Sequence, residues 1–250
     1  MRPRNTVAMN PLILWHGWGM PPAAWHGFTS QLGDQAQTPA LPGYAATPAP
    51  APYTLDALVD SLLMDLSAPL TLCGWSLGAM LALNAAHRHP DKVVRLILVG
   101  ATPCFMQRTD WPHGMTPQAL AEFTDSVRHD PPGALKRFMT LFNQNDVNSR
   151  RISRELAHAL ATVPLPCVST LVAGLALLRD SDLRAAVPHI AQPTLLLHGA
   201  HDPLMPLAAA EWLASTLPQA QLAVLPDAGH APILSDGARC AQIMTEFLHA

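Results

Sequence analysis

No apolar run in the 250 residues comes near the length of a membrane span. The strongest (PLILW, LTLC, LILVGA and TLLL) stop after a few positions, and a spanning helix needs about 20. The run behind the early arginines Arg2 and Arg4 is also too brief for a secretory leader, so a cytoplasmic protein is expected. Charge is sparse at 13%, and the net value of −3 marks no polyanion-binding or membrane-surface protein. Four cysteines (Cys73, Cys104, Cys167, Cys240) contain no C-x-x-C pair. That excludes a disulfide framework and leaves them as small core residues. Internal repeats are absent.

What is present is apolar content, 49% of the chain, enough to fill the core of one large α/β domain. Short apolar runs predict strands at 12–15, 70–73, 93–99, 194–198 and 221–225. They alternate with helical periodicity at 55–66, 77–89, 207–217 and 238–249. Thr54 is placed to cap the first of these helices. Such alternation predicts a mostly parallel sheet flanked by helices. Residues 105–185 interrupt it with helical periodicity, proline punctuation and no strand pattern. The chain thus divides into a first core part (1–104), a helical insertion (105–185) and a second core part (186–250). The proline-dense 38–52 stretch reads as a rigid surface loop.

Chemistry enters at LTLCGWSLGAM, where a strand pattern meets a helix pattern at Ser76 between Gly74 and Gly78. Two missing side chains around a serine predict a tight turn that holds a nucleophile at a helix N-terminus. A serine hydroxyl needs a base, and the base an orienting acid. GAHDPLMP puts Asp202 just after one predicted strand, and PDAGHAPI puts His230 just after the next. In an open α/β sheet such loops share one crevice. The Trp18 amide, in HGWG, and the Leu77 amide, at the helix N-terminus, are the natural oxyanion donors. Asp227 is a rival acid in the histidine's own loop. His198, His201 and Asp202 offer zinc-type ligands, although without an HExxH helix.

The motifs LWHGWGM, LCGWSLGAM, HRHPDKV, ATPCF, DWP, KRF, VPLP, LRDSDLR and AGHAP make nearly the whole chain resemble the α/β-hydrolase superfamily. Within it they look like the carboxylesterase family of biotin synthesis, which acts on the methyl ester of pimeloyl-acyl-carrier protein. The resemblance implies a Ser76–His230–Asp202 triad, oxyanion amides at Trp18 and Leu77, and no cofactor. It also implies an acyl carrier protein partner that meets cap arginines at Arg137, Arg150 and Arg154. Gly133 stands where the family's enterobacterial-type sequence has a further arginine, and Pro131-Pro132 interrupts the preceding helix. Six basic residues lie between Arg128 and Arg154 against two acidic ones, in an otherwise acidic chain, which suits an acidic partner. Trp18, Met20, Trp75, Phe105, Trp111, Phe123 and Phe138, with Phe142, are candidates to line an acyl channel, each equally a core residue. The family's first strand is expected to be missing. A general short-chain esterase or lactonase, and a non-catalytic ligand-binding protein on the same scaffold, remain alternative readings.

Overall fold

The computed structural model describes residues 10–32, 36–66 and 69–250. In chain order the elements are β1 (Leu12–Trp15), a 3-10 turn (Pro22–Trp25) leading into α1 (His26–Thr29), β2 (Ala36–Gln37), α2 (Leu55–Leu63), β3 (Leu70–Trp75), α3 (Leu77–Arg88) and β4 (Val93–Val99). Four helices follow: α4 (Pro117–His129), α5 (Pro131–Asn143), α6 (Ser149–Ala161) and α7 (Val168–Asp180). A 3-10 turn (Val187–His189), β5 (Thr194–Gly199), α8 (Leu207–Thr216), β6 (Ala220–Leu225), α9 (Pro232–Ser235) and α10 (Gly237–His249) complete the chain.

All described strands form one parallel sheet in the order β2-β1-β3-β4-β5-β6. Strands β1, β3 and β5 are buried along their whole length, as a parallel sheet covered on both faces requires. The chain moves from β1 outward to β2, then returns to β3 and proceeds to the other edge. The order therefore reverses between β1 and β3, and their C-terminal ends open a crevice there.

Predicted elements and observed ones differ mainly at their ends. Thr54 caps α2 by accepting from the Ala57 N–H at 3.2 Å, but α2 stops at Leu63 rather than at residue 66. Strand β3 runs on to Trp75, directly before Ser76. Strand β2 was not expected, because two residues are too few for a periodicity. The 38–52 stretch has no regular element and is pinned by the Leu41 N–H, which donates to His16 Nε2 at 3.0 Å. The expected loss of a first strand concerns residues 1–9, outside the described residues. No described helix is long and apolar enough to cross a membrane.

Helices α4–α7 occupy the chain between β4 and β5, with only isolated β-bridges among the described residues there. The two ends of the insertion are tied together. The Leu183 N–H donates to the Pro103 carbonyl at 2.8 Å, and Arg184 holds both Asp110 and Asp182. Pro131 does not break a helix but begins one. The Asp130 N–H bonds the Ser126 carbonyl to end α4, while its side chain accepts from the Gly133 N–H at 3.0 Å to cap α5. Pro131 then sits where a missing N–H costs nothing.

The two glycines around Ser76 have a steric cause. A Cβ at Gly74 would collide with the Gly78 backbone, and one at Gly78 with the backbone of Trp15 and His16. Strand β1, strand β3 and the first turn of α3 thus meet backbone to backbone. Gly78→Ala is expected to destabilise by about 1–3 kcal/mol, a typical overpacking cost. For a chain of this size that lowers the midpoint by roughly 2–4 °C per kcal/mol. Thermal unfolding checks it, and an unchanged midpoint would contradict the close approach.

Candidate active site

Ser76 leaves β3 with φ 58° and ψ −116°, a backbone conformation a non-glycine residue adopts only under constraint. Its N–H donates to the Val99 carbonyl at 2.9 Å, and its own carbonyl receives the Ala79 and Met80 N–H groups. The backbone is thus committed on both sides, and the hydroxyl stands at the head of α3. Gly17 lies directly against it, since a Cβ there would come within 3.2 Å of the Ser76 Cβ. Neither the Trp18 nor the Leu77 backbone N–H donates to any group among the described residues. Two amides without a partner among the described residues thus adjoin the serine in the chain (Leu77) and follow the glycine packed against it (Trp18).

Asp202 follows β5 and His230 follows β6. The two meet at 2.7 Å between Asp202 Oδ2 and His230 Nδ1, both residues buried. An ionised carboxylate only accepts, so Nδ1 donates in this pair. Nε2 is buried and has no partner among the described residues. Asp202 Oδ1 accepts from the Leu204 and Met205 N–H groups, each at 2.9 Å. Burial alone would push the Asp202 carboxyl up. Attraction to His230, the hydrogen bond between them, His198 and the Met205 N–H outweigh it and hold the group below the ordinary carboxylate range. Behind His230, Gly100 (φ 52°) leaves no room for a side chain, because a Cβ would lie 3.0 Å from Nδ1.

The rival assignments separate. Asp227 is exposed and meets the site only through its carbonyl, which accepts from the Val147 N–H at 3.3 Å. His198 donates through Nε2 to the Met205 carbonyl at 2.7 Å, while His201 is exposed, so the two histidines do not converge on a metal.

Trp18, Phe105, Phe123 and Phe138 border a narrow cavity that reaches Ser76. Met115, Leu120, Leu175, Leu178 and Leu204 complete its wall; as aliphatic core residues they carry no sequence signal of their own. The indole of Trp18 is pinned by its Nε1–H to the Leu171 carbonyl at 2.9 Å, with the rings of Phe123 and Phe138 edge-on to it. Other candidates lie elsewhere. Met20 is buried off the wall. Trp75 supports the histidine loop, donating through Nε1 to the His230 carbonyl at 2.8 Å. Trp111 packs with Cys104, Ala209 and Trp212 in a separate cluster. Phe142 sets its ring against that of His230.

The basic stretch is less positive than its sequence window suggests. Arg128 pairs with Asp125 and Arg151 with Glu155, two acids just outside that window, and Arg137 faces Asp130 at 3.6 Å. Arg150 and Arg154, exposed on α6, form no ion pair among the described residues.

His16 shapes the serine's surroundings from beneath. Its Nδ1–H donates to the Gly17 carbonyl at 3.0 Å while Nε2 accepts from Leu41. This holds the HGWG turn to the 38–52 loop. Burial lowers its pKa to about 4, and burial also lowers that of His198.

A model built for the alpha/beta hydrolase family matches residues 12–243. The chain is 46% identical to a pimeloyl-[acyl-carrier protein] methyl ester esterase of Aromatoleum aromaticum, across 94% of this chain and 96% of the relative. It is 37% identical to a protein of the same description from Nitrosomonas europaea, across 90% of each chain. Among solved structures, an esterase from Exiguobacterium antarcticum superposes with a TM-score of 0.87 at 25% identity, covering 96% of this chain and 92% of that one.

The buried histidines generate an acid limb of stability. Unfolded His16 takes a proton near pH 6.5, but folded His16 only near 4. The stability held by the neutral ring is therefore present above 6.5 and lost as pH falls toward 4, to a total of about 3 kcal/mol; His198 acts in the same direction. Wild-type unfolding midpoints should drop through that window and drop less steeply in His16→Gln. Parallel pH slopes would contradict this.

Proposed function

Because the chain belongs to the alpha/beta hydrolase family, we propose that it is a serine carboxylesterase that removes the methyl ester from a pimeloyl chain carried on acyl carrier protein. The observation that carries the chemistry is a strained serine on the β3–α3 turn beside a buried Asp202–His230 pair. In this reading His230 Nε2 takes the Ser76 proton as Oγ attacks the ester carbonyl. The Trp18 and Leu77 amides receive the oxyanion, whose negative charge develops at a helix N-terminus. Collapse returns the proton to the leaving methoxide, methanol departs, and water repeats the cycle on the acyl-serine. Asp202 keeps the histidine in the required tautomer and offsets its transient positive charge. The Ser76–His230 hydrogen bond closes in the substrate complex, as such bonds commonly do.

The cavity supports the methyl ester. Among the described residues Ser76 is its only polar lining residue, and none is charged. A methylene chain ending in an uncharged ester suits that wall, whereas the carboxylate product has no cation to meet and is disfavoured there. The names of the relatives support the carrier. So do Arg150 and Arg154, free of ion pairs among the described residues, with Arg137 on the neighbouring helix. We read 105–185 as a cap over a core formed by 1–104 and 186–250, working in the cytoplasm without a cofactor.

Two tests follow. Ser76→Ala should lower hydrolysis of p-nitrophenyl butyrate by about 10⁴-fold or more, and a fluorophosphonate should label Ser76 in the wild type. Retention of a tenth of the activity would exclude the nucleophile and favour a ligand-binding protein. Arg150→Glu with Arg154→Glu should raise KM for the carrier-bound ester and leave the free butyrate ester nearly unchanged. Added salt should weaken the carrier reaction, since exposed charges are screened within ~10 Å at 0.1 M. Equal rates on both substrates in both proteins would leave a general esterase or lactonase.

A further inference from the structure

Asp146 sits in the short loop between α5 and α6, only 4% exposed, and no cation lies within ion-pair distance among the described residues. A buried carboxylate without a cation is costly unless its lone pairs are filled. Here they are filled from the histidine side of the molecule. Oδ2 accepts from the Gly229 N–H at 2.8 Å. Oδ1 accepts from Ser235 Oγ at 2.9 Å and from the Asn148 N–H at 2.7 Å.

Around this carboxylate the inserted helices and the His230 loop are joined again and again. The His230 N–H donates to the Phe142 carbonyl at 3.2 Å, and the Val147 N–H to the Asp227 carbonyl at 3.3 Å. Gly229 is pressed between them, since a Cβ there would lie 3.0 Å from the Phe142 carbonyl oxygen and 3.4 Å from the Asp146 Cβ. The N–H groups of Gly229 and His230 thus bond not to the sheet but to the end of α5 and the loop after it. Of these acceptors only Asp146 is charged, and bonds to an ionised acceptor are the strong ones.

We propose that Asp146 is a positioning residue for His230: its carboxylate holds the Gly229 N–H and thereby sets where the imidazole stands relative to Ser76. This rests on the reading of His230 as the base for Ser76. The same helix, α5, carries Phe138 on the cavity wall and Phe142 against the imidazole, so placement of the acyl chain and of the base share one support. Removing the carboxylate frees the Gly229 N–H and Ser235 hydroxyl and loosens the histidine by fractions of an ångström. Its contact with Asp202 and the acyl cavity remain.

The test uses the full-length protein with p-nitrophenyl butyrate, with active sites counted by fluorophosphonate. Asp146→Ala is expected to lower kcat per labelled site by about 10–100-fold, the scale of a small misplacement of a reacting group, with KM within about threefold. Asp146→Asn, which keeps one acceptor, should fall in between. Ser235→Ala, which removes a bond on the side of the carboxylate away from Gly229, should keep kcat. In the phosphonylated enzymes the low-field proton resonance of His230 Nδ1–H should shift or broaden in the Asp146 variants and not in Ser235→Ala. An unchanged kcat and resonance, or losses in Asp146→Ala and Ser235→Ala that only follow their loss of stability, would overturn the proposal. If Asp146→Ala does not fold, Asp146→Asn decides by the same two readouts. A wild type that takes up no fluorophosphonate would overturn the reading of Ser76 and His230 itself, and the proposal with it.

Discussion

The first turn of α3 lies so close to the end of β1 that position 78 has no space for a Cβ. That approach forces the chain to turn within one residue on leaving β3, and the residue is Ser76, at φ 58°. It also brings Gly17 of the HGWG turn directly against the serine. The serine, its helix and the HGWG turn are therefore one steric object. A sheet order that reverses between β1 and β3 makes that object possible, because only there do neighbouring C-terminal loops part to leave a crevice.

The other half of the site is electrostatic. Asp202 would resist ionisation in so buried a place, were it not for the imidazole, the Met205 and Leu204 amides and His198 around it. His16 and His198 sit buried and neutral for the same reason that Asp202 stays charged: each has its hydrogen bonds chosen for that state. The site thus pairs a buried carboxylate with a buried imidazole, beside a cavity whose described lining carries no charge. An uncharged ester fits such a place better than an acid.

The inserted helices do two things at once. Their inner faces supply Phe123, Phe138 and Leu175 to the cavity, while their outer faces carry Arg137, Arg150 and Arg154. Asp130 faces Arg137, and Asp125 and Glu155 take up the neighbouring Arg128 and Arg151, which leaves Arg150 and Arg154 without an ion pair among the described residues. Side chains of neighbouring turns and helices decide this balance, and a window of sequence does not contain them all.

Much was legible from local pattern. Buried parallel strands appear as short apolar runs, Thr54 announces a helix, and glycines at 74 and 78 mark the sharp turn at Ser76, because each signal reflects the backbone within a few residues. The order of Asp202 and His230 after successive strands was likewise legible, and the fold brings those two side chains to 2.7 Å. What stayed hidden depends on distant contacts. Strand β2 is two residues long and exists through its pairing with β1. Trp111 and Met20 are as apolar as Phe105, and only packing sends one to the cavity wall and the others away from it. Asp146 reads as one of two acids in a basic stretch, yet it lies 83 residues from the Gly229 amide it holds. By itself the sequence determined the type of fold and the sharp turn at Ser76, since those follow from periodicity and backbone sterics. Tertiary structure alone decided which apolar residues line the cavity and which buried carboxylate bonds the histidine loop, because those depend on which surfaces the folded chain brings within a few ångströms of each other.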